Sequence, residues 1–126
     1  MFADLSISPE KMAKYRETAR RRREQRRQEM ERRRQRALAL AHRAADLLRA
    51  QFGATRVVLF GSLAHGAPFH EHSDVDLAAW GIDARDYLRA VARLLDLDPD
   101  IPIDLVRAEE ARPSILETIE EEGVEI

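Results

Sequence analysis

The chain of 126 residues contains no cysteine. This excludes disulfide bonds, thiolate metal sites and a cysteine nucleophile, and nothing indicates an oxidising compartment. Long apolar runs are also absent: the run at 57–60 is far shorter than the roughly 18 residues that a membrane span needs. The N-terminus lacks the basic-then-apolar pattern of a secretory signal. With 44% hydrophobic and 35% charged residues, the composition predicts one small soluble domain in the cytoplasm.

The net charge of −2 hides an uneven distribution of charge. Residues 1–49 hold 15 basic and seven acidic side chains (+8), whereas residues 50–126 hold six and 16 (−10). Between positions 20 and 36, ten of 17 residues are arginine and only Met30 is apolar, so this segment has no apolar face to bury. We therefore expect an Arg-rich helical arm over residues 1–36 and a folded domain over residues 37–126.

Local signals predict helices and strands in the order α-β-α-β-α-β-α. Ser8 and Pro9 are typical of a helix start, and a continuous helix from Glu10 to Gln51 would be roughly 60 Å long. Strands are expected at 56–60, 73–80 and 101–106, with further helices capped by Asp83 and opening near Pro113. The expected fold class is α/β (α+β), with a small mixed sheet of three to four strands flanked by helices.

The most informative stretch joins a buried strand to a glycine turn and then to paired carboxylates. A turn at Gly61 and Ser62 offers free N–H groups and a hydroxyl to a phosphate oxygen, and only glycine allows its close approach. Asp74 and Asp76 alternate with apolar residues, so both point to one face of a strand, about 6.6 Å apart at their Cα atoms. Such a pair suits a hard cation such as Mg²⁺.

A third carboxylate, Asp104, has the same phase in the next predicted strand. If the two strands pair side by side, Asp74, Asp76 and Asp104 share one face and aliphatic side chains cover the other. Three close negative charges are costly without a positive partner, so this pairing implies a cation or a cationic substrate group. Taken singly, each aspartate could equally be a solvated residue at a strand end.

Together these residues resemble a known family. The segments GSLAHG at 61–66 and SDVDLA at 73–78 are similar to the GS…DxD signature of the polymerase-β-type nucleotidyltransferases in their minimal form. The resemblance spans roughly residues 37–126. Two departures are visible: eleven residues separate the GS and DxD segments where ten are usual, and His65 occupies a position that is often arginine.

The resemblance implies roles for the five residues. Gly61 and Ser62 would hold the triphosphate of a nucleotide, while Asp74, Asp76 and Asp104 would be catalytic and would bind two Mg²⁺ ions. Asp104 would also accept or orient the proton of the attacking hydroxyl. The implied reaction transfers a nucleoside monophosphate, AMP from ATP, to a hydroxyl and releases pyrophosphate.

The small size points to one branch of the family. Minimal nucleotidyltransferases of this length resemble the antitoxins of toxin–antitoxin pairs whose partner is a helical HEPN protein, often encoded nearby. The implied function is AMPylation of a hydroxyl on that toxin, which neutralises it. Two alternatives stay open: a non-catalytic antitoxin that only binds its partner, and nucleotidyl transfer to a small molecule or an RNA end.

Other polar residues receive no catalytic role from the sequence. His65, His70 and His72 could be imagined as a zinc cluster, but their spacing does not match a zinc site. The arm could be a solvated helix, a surface for a partner or a second copy, or a contact to nucleic acid phosphates. Because it lacks interleaved aromatic residues, only phosphate contact is plausible in the last case.

Overall fold

A computed structural model describes residues 7–126. Its helices are α1 (Pro9–Phe52), α2 (Tyr87–Leu95) and α3 (Pro113–Glu122), and its strands are β1 (Arg56–Phe60), β2 (Val75–Trp80), β3 (Ile103–Arg107) and β4 (Val124–Glu125). The strands form one mixed sheet in the order β3-β2-β1-β4. β1 is antiparallel to β2 and β4, whereas β2 and β3 are parallel. The predicted fold class, a small mixed sheet flanked by helices, is confirmed.

Helix α1 is a single helix of 44 residues, about 66 Å long at 1.5 Å per residue. The Ser8 side chain caps it by accepting the Lys11 backbone N–H at 3.2 Å. Gly53 ends it in a left-handed conformation, with a φ of 71°. Buried residues appear in α1 only from Ala37 onward, although the helix itself continues unbroken through that point. The division of the chain at residue 36 therefore stays a prediction.

The sheet has two unlike faces, because side chains alternate along each strand. One face packs against α1 and α2 in the main hydrophobic core. Its strand members are Val57, Leu59, Val75, Leu77, Ala79, Ile103 and Leu105. On the other face, Val58 and Ala78 pack against Ile119 of α3 in a much smaller cluster. This second face continues towards the start of β2, where polar residues replace the apolar ones.

Two arginines fasten α1 to the loops that lead into β2 and β3. The Arg33 guanidinium donates hydrogen bonds to three backbone carbonyls: those of His70 at 3.2 Å, Glu71 at 2.9 Å and Asp100 at 3.0 Å. The Arg36 guanidinium donates two hydrogen bonds to the buried Asp98 carboxylate, from Nε at 2.9 Å and from Nη2 at 2.8 Å. Within residues 7–126, the part of α1 before Arg33 makes no hydrogen bond or ion pair to the rest of the domain.

The structure corrects several expectations about local structure. Residues 62–66 form a turn and not a helix, because Gly66, with a φ of 70°, and the following Pro68 end the helical path after one turn. β2 begins two residues later than predicted, since the Ser73 N–H donates to the His70 carbonyl in a turn. A short 3₁₀ turn, Ala84–Asp86, precedes α2.

β3 is also shifted by one to two residues from its predicted position. The Ile101 N–H donates to the Asp98 carboxylate, and Pro102 has no N–H to contribute to the sheet. The predicted apolar-ended tail forms β4, with Val124 opposite Leu59. None of the helices in the described range 7–126 has the length and apolar character that crossing a bilayer requires.

Candidate active site

The candidate active site lies where β1 ends and β2 and β3 begin. Asp76 is opposite Asp104 in the parallel β2–β3 pair and opposite Phe60 in the antiparallel β1–β2 pair. Directly opposed residues on neighbouring strands are about 4.8 Å apart in the sheet. Asp74 lies two residues before Asp76, just ahead of β2. The side-by-side pairing on which the acidic face depends is therefore present.

The three carboxylates interact electrostatically. Burial, together with the negative charges of Asp104 and Asp74, raises the pKa of Asp76 to about 6. Asp76 is partly buried, whereas Asp74 and Asp104 are exposed. Within residues 7–126, none of the three carboxylates accepts a hydrogen bond or forms an ion pair with a cationic side chain. The site thus concentrates negative charge without an internal counter-charge, an arrangement that favours a bound cation.

Gly61 is required by the shape of this site. Its φ is 76°, and a Cβ atom built on it would overlap Oδ2 of Asp76. A side chain at this position would therefore collide with the carboxylate, and the backbone conformation itself favours glycine. The sequence indicated a glycine for close approach of a phosphate. The structure adds that the absent side chain also makes room for Asp76.

Ser62 begins the turn that follows Gly61. The His65 N–H donates to the Gly61 carbonyl at 3.3 Å, and the Ala67 N–H donates to the Ser62 carbonyl at 3.2 Å. The backbone N–H groups of Ser62, Leu63 and Ala64 make no backbone hydrogen bond within the described residues. This is the donor arrangement of the first turn of a helix, which suits an anion.

His65 and the other histidines do not join the carboxylates. His65 Nε2 lies 3.0 Å from Oε2 of Glu122 on α3, while the exposed His72 ring is near Glu71. Across residues 7–126, no group of three or more His, Asp or Glu side chains is arranged to hold a metal ion. The predicted Mg²⁺ ligands Asp74, Asp76 and Asp104 thus gather on one face without forming a closed ligand set.

The candidate site is distinguished by its three carboxylates and not by a deep pocket. A groove of about 850 Å³ lies between α1 and the 67–74 loop and is lined partly by arginines. The carboxylates lie outside it, on an open face of the sheet. We assign the candidate site to the carboxylates because their mutual repulsion requires a ligand, whereas the groove is an open surface feature.

The mixed sheet, the glycine turn and the acidic strand face are the architecture of a nucleotidyltransferase domain. Residues 43–126 match the sequence model of the family described as polymerase beta, nucleotidyltransferase. The chain belongs to this nucleotidyltransferase family. The match begins within the second half of α1 and leaves most of the arm outside it. No curated protein is significantly similar to the chain in sequence.

Solved structures share the same fold. A toxin–antitoxin complex with AMP-PNP contains a chain that is 24% identical, with 68% of this chain and 70% of that chain covered and a TM-score of 0.58. The MntA–HepT toxin–antitoxin pair gives 20% identity, 70% and 69% coverage and a TM-score of 0.53. The complex of the tri-AMPylated Shewanella oneidensis HEPN toxin with MNT antitoxin gives 20% identity, coverage of 71% of this chain and 70% of that chain, and a TM-score of 0.54. At these identities the likeness shows a common fold.

Proposed function

We propose that the chain is a metal-dependent nucleotidyltransferase that transfers AMP from ATP to a hydroxyl group of a partner protein. The observation that carries this proposal is the pairing of Asp76 with Asp104 beside Gly61. It places three carboxylates and a turn with unused N–H donors at one edge of the sheet. Membership of the nucleotidyltransferase family gives the reaction class, and the residues that share this edge give the proposed roles.

The reaction joins the acceptor oxygen to the α-phosphorus of ATP and breaks the bond between that phosphorus and the β-phosphate oxygen. The products are an AMP ester and pyrophosphate, and the hydroxyl proton is released. The N–H groups at Ser62 and its neighbours donate to the departing phosphates. Asp104, exposed at the edge of the acidic face, is placed to accept or orient the hydroxyl proton. Catalysis is then mainly positioning and charge stabilisation.

Two Mg²⁺ ions are part of this proposal, held by Asp74, Asp76 and Asp104. The residues fit such ions because burial and the repulsion from Asp104 and Asp74 raise the pKa of Asp76, and a divalent cation would offset both effects. Carboxylate oxygens are the ligands that Mg²⁺ prefers. The exposed positions of Asp74 and Asp104 leave them able to close around an ion. When bound, the metal supplies neutralisation of the phosphate charge.

We further propose that the acceptor is a helical HEPN-type toxin encoded beside this chain, which the modification neutralises. Support comes from the toxin–antitoxin complexes that share the fold, one of which contains an AMPylated HEPN toxin. A protein acceptor can bring its own docking surface to the open acidic face.

The test is the intact mass of both proteins after co-expression of the chain with its genomic neighbour. We expect the neighbour to gain the mass of one or more AMP groups with the wild type and none with Asp74→Asn/Asp76→Asn. A matched control, Asp83→Asn, replaces an aspartate that caps a turn by accepting the Arg85 backbone N–H and pairs with the Arg85 guanidinium, and it should leave the modification intact.

Co-purification separates the alternatives in the same experiment. If the unmodified neighbour still co-purifies with the wild type, the transfer proposal is wrong and a binding-only antitoxin replaces it. If the neighbour neither gains mass nor co-purifies with any form of the chain, the partner proposal is wrong. Modification by the Asp74→Asn/Asp76→Asn variant at the wild-type level would contradict the assignment of the carboxylates.

A further inference from the structure

The charges of the arm are sorted by face. Glu10, Glu17, Glu24 and Glu31 repeat every seven residues and therefore form one stripe along α1. At about 100° of rotation per residue, Arg22, Arg23 and Arg26 lie within an arc of about 100° on the opposite side. We call these three arginines the basic face. Most of the arm lies outside the family match, which begins at residue 43, so the nucleotidyltransferase reaction does not account for this face.

Ion pairing follows the same division. The arginines that flank the glutamate stripe are paired within the helix: Arg20 and Arg21 with Glu17, and Arg27 with Glu24. The three arginines of the basic face are exposed and form no ion pair within residues 7–126. A shallow surface along this face is lined by Lys14, the three arginines and uncharged residues, without any carboxylate. The basic face thus has unneutralised guanidinium groups that can reach a ligand.

The composition of this face argues against a protein partner. The centre of a protein interface is depleted of charged residues and packs apolar and aromatic side chains. Along the basic face the apolar surface is limited to the separate side chains of Met12, Tyr15, Ala19 and Met30, and within residues 7–126 the residues of α1 before Arg33 make no hydrogen bond or ion pair to the rest of the domain. Interfaces with nucleic acid are polar and strongly cationic, and guanidinium groups bind phosphates through paired hydrogen bonds.

The shape and composition of the arm favour a duplex over a single strand. Single-strand binding relies on several aromatic side chains on which bases stack, and the arm has Tyr15 alone in its described part. An α-helix with side chains is about 10–12 Å wide, which the roughly 12 Å major groove of B-DNA admits and the narrow major groove of duplex RNA does not. The residues from Pro9 to Arg32 provide about 36 Å of helix for this contact.

We propose that the basic face of Arg22, Arg23 and Arg26 binds the phosphate backbone of double-stranded DNA. The contact reads charge and not base sequence, since all three groups are suited to phosphates and no other recognition residue accompanies them. This proposal stands apart from the proposed transfer reaction, because within residues 7–126 none of these arginines forms a hydrogen bond or an ion pair with the three carboxylates. At its C-terminal end the face meets the groove against the 67–74 loop, which Arg26 and Glu29 both line.

The test compares two triple variants of the full chain that lose the same charge. Arg22→Gln/Arg23→Gln/Arg26→Gln removes the basic face, and Arg20→Gln/Arg21→Gln/Arg27→Gln removes the paired arginines. Fluorescence anisotropy measures binding to a labelled duplex DNA of arbitrary sequence and to a labelled single-stranded RNA over a range of salt. Circular dichroism checks that both variants keep the helix content of the wild type.

We expect the basic-face variant to bind duplex DNA at least about tenfold more weakly and its salt slope to fall by about 2.7, or 0.9 for each lost phosphate contact. The paired-arginine variant should keep most of the affinity and slope. Equal weakening in the two variants, tighter binding to single-stranded RNA, or no binding of duplex DNA by the wild type at low salt would overturn the proposal. The proposal would also be overturned if the wild type bound no DNA but co-purified with a partner protein that the basic-face variant lost. That result would show that the basic face contacts a protein.

Discussion

The two faces of the sheet use the same strands for different purposes. The face towards α1 and α2 is a continuous apolar layer, in which Val75 and Leu77 are fully buried. The face towards α3 has only a small apolar cluster and then gives way to Asp76 and Asp104. Because successive residues of a strand point to opposite sides, a single step along β2 separates a residue that stabilises the fold from one that destabilises it.

The acidic site is stabilised by the apolar face of the same sheet. Asp76 is held partly buried beside two like charges, which disfavours its ionised form. The position is tolerated because its neighbours Val75 and Leu77 anchor β2 in the main core from the other side. The apolar face keeps the strands in the register that brings the carboxylates together. The site therefore depends on the core, whereas the core does not depend on the site.

The largest effect should come from truncating the apolar face. Leu77→Ala removes a fully buried side chain and should lower the free energy of unfolding by about 2–5 kcal/mol, as measured by urea denaturation. Asp76→Asn, one residue away on the other face, should cause no loss under the same conditions near neutral pH. A loss under about 1 kcal/mol for Leu77→Ala would show that the two faces do not differ in this way.

A smaller effect with a defined pH dependence is expected at Asp76. Its pKa in the folded protein is about 6, above the ordinary value of 3.8, so between these values the folded state retains a proton that the unfolded state loses. The contribution of Asp76 to stability is therefore highest below pH 3.8 and falls as the pH rises through about 6.

Asp76→Asn removes this pH dependence. In EDTA near pH 7.5, we expect the variant to be more stable than the wild type by about 1–2 kcal/mol, a range reduced for the partial solvent exposure of the group. The difference should disappear near pH 4, where the wild-type carboxyl is protonated when folded. Urea denaturation at both pH values measures it. A constant difference at the two pH values would contradict the burial of this carboxylate.

Two glycines separate backbone strain from the needs of the site. Gly61 and Gly66 have similar positive φ values of 76° and 70°, but only a Cβ at Gly61 would collide with Asp76, since nothing lies within 4 Å at Gly66. Each change to alanine should cost about 1 kcal/mol of stability through the left-handed conformation. Only Gly61→Ala should also lower the rate of the proposed AMP transfer, by about 100-fold, because it displaces a carboxylate. Equal transfer rates would show that the close contact is unimportant.

Much of the fold could be predicted from local sequence signals. β1 has the predicted bounds, and α1 differs from the prediction by a residue at each end, because a cap, a breaker and a β-branched run mark these limits. The bounds of β2 and β3 were wrong by one or two residues where a turn at Ser73 and a side-chain bond at Ile101 compete with strand pairing. β4 has only two residues. This is too short for an alternation of apolar and polar residues to show that the segment is a strand and not an irregular tail.

The site was less accessible to sequence reasoning than the fold. The alternation of residues along the strands predicted that Asp76 and Asp104 would share one face if their strands paired side by side. The pairing itself could not be predicted from the alternation. The contact between Gly61 and Asp76 depends on how β1 is aligned with β2, and the Arg33 contacts join positions far apart in sequence. No local pattern encodes such contacts. The catalytic and metal-binding roles of the five site residues stay predictions.

The most direct test of the acidic face is calorimetric titration of the chain with ATP, in Mg²⁺ and in EDTA. We predict that the wild type binds ATP in Mg²⁺ and that EDTA abolishes the binding. The Asp76→Asn/Asp104→Asn variant should show no measurable binding of ATP in either buffer, because it lacks the proposed metal ligands. Equal binding of ATP by the wild type in Mg²⁺ and EDTA, or no binding in either, would contradict the account.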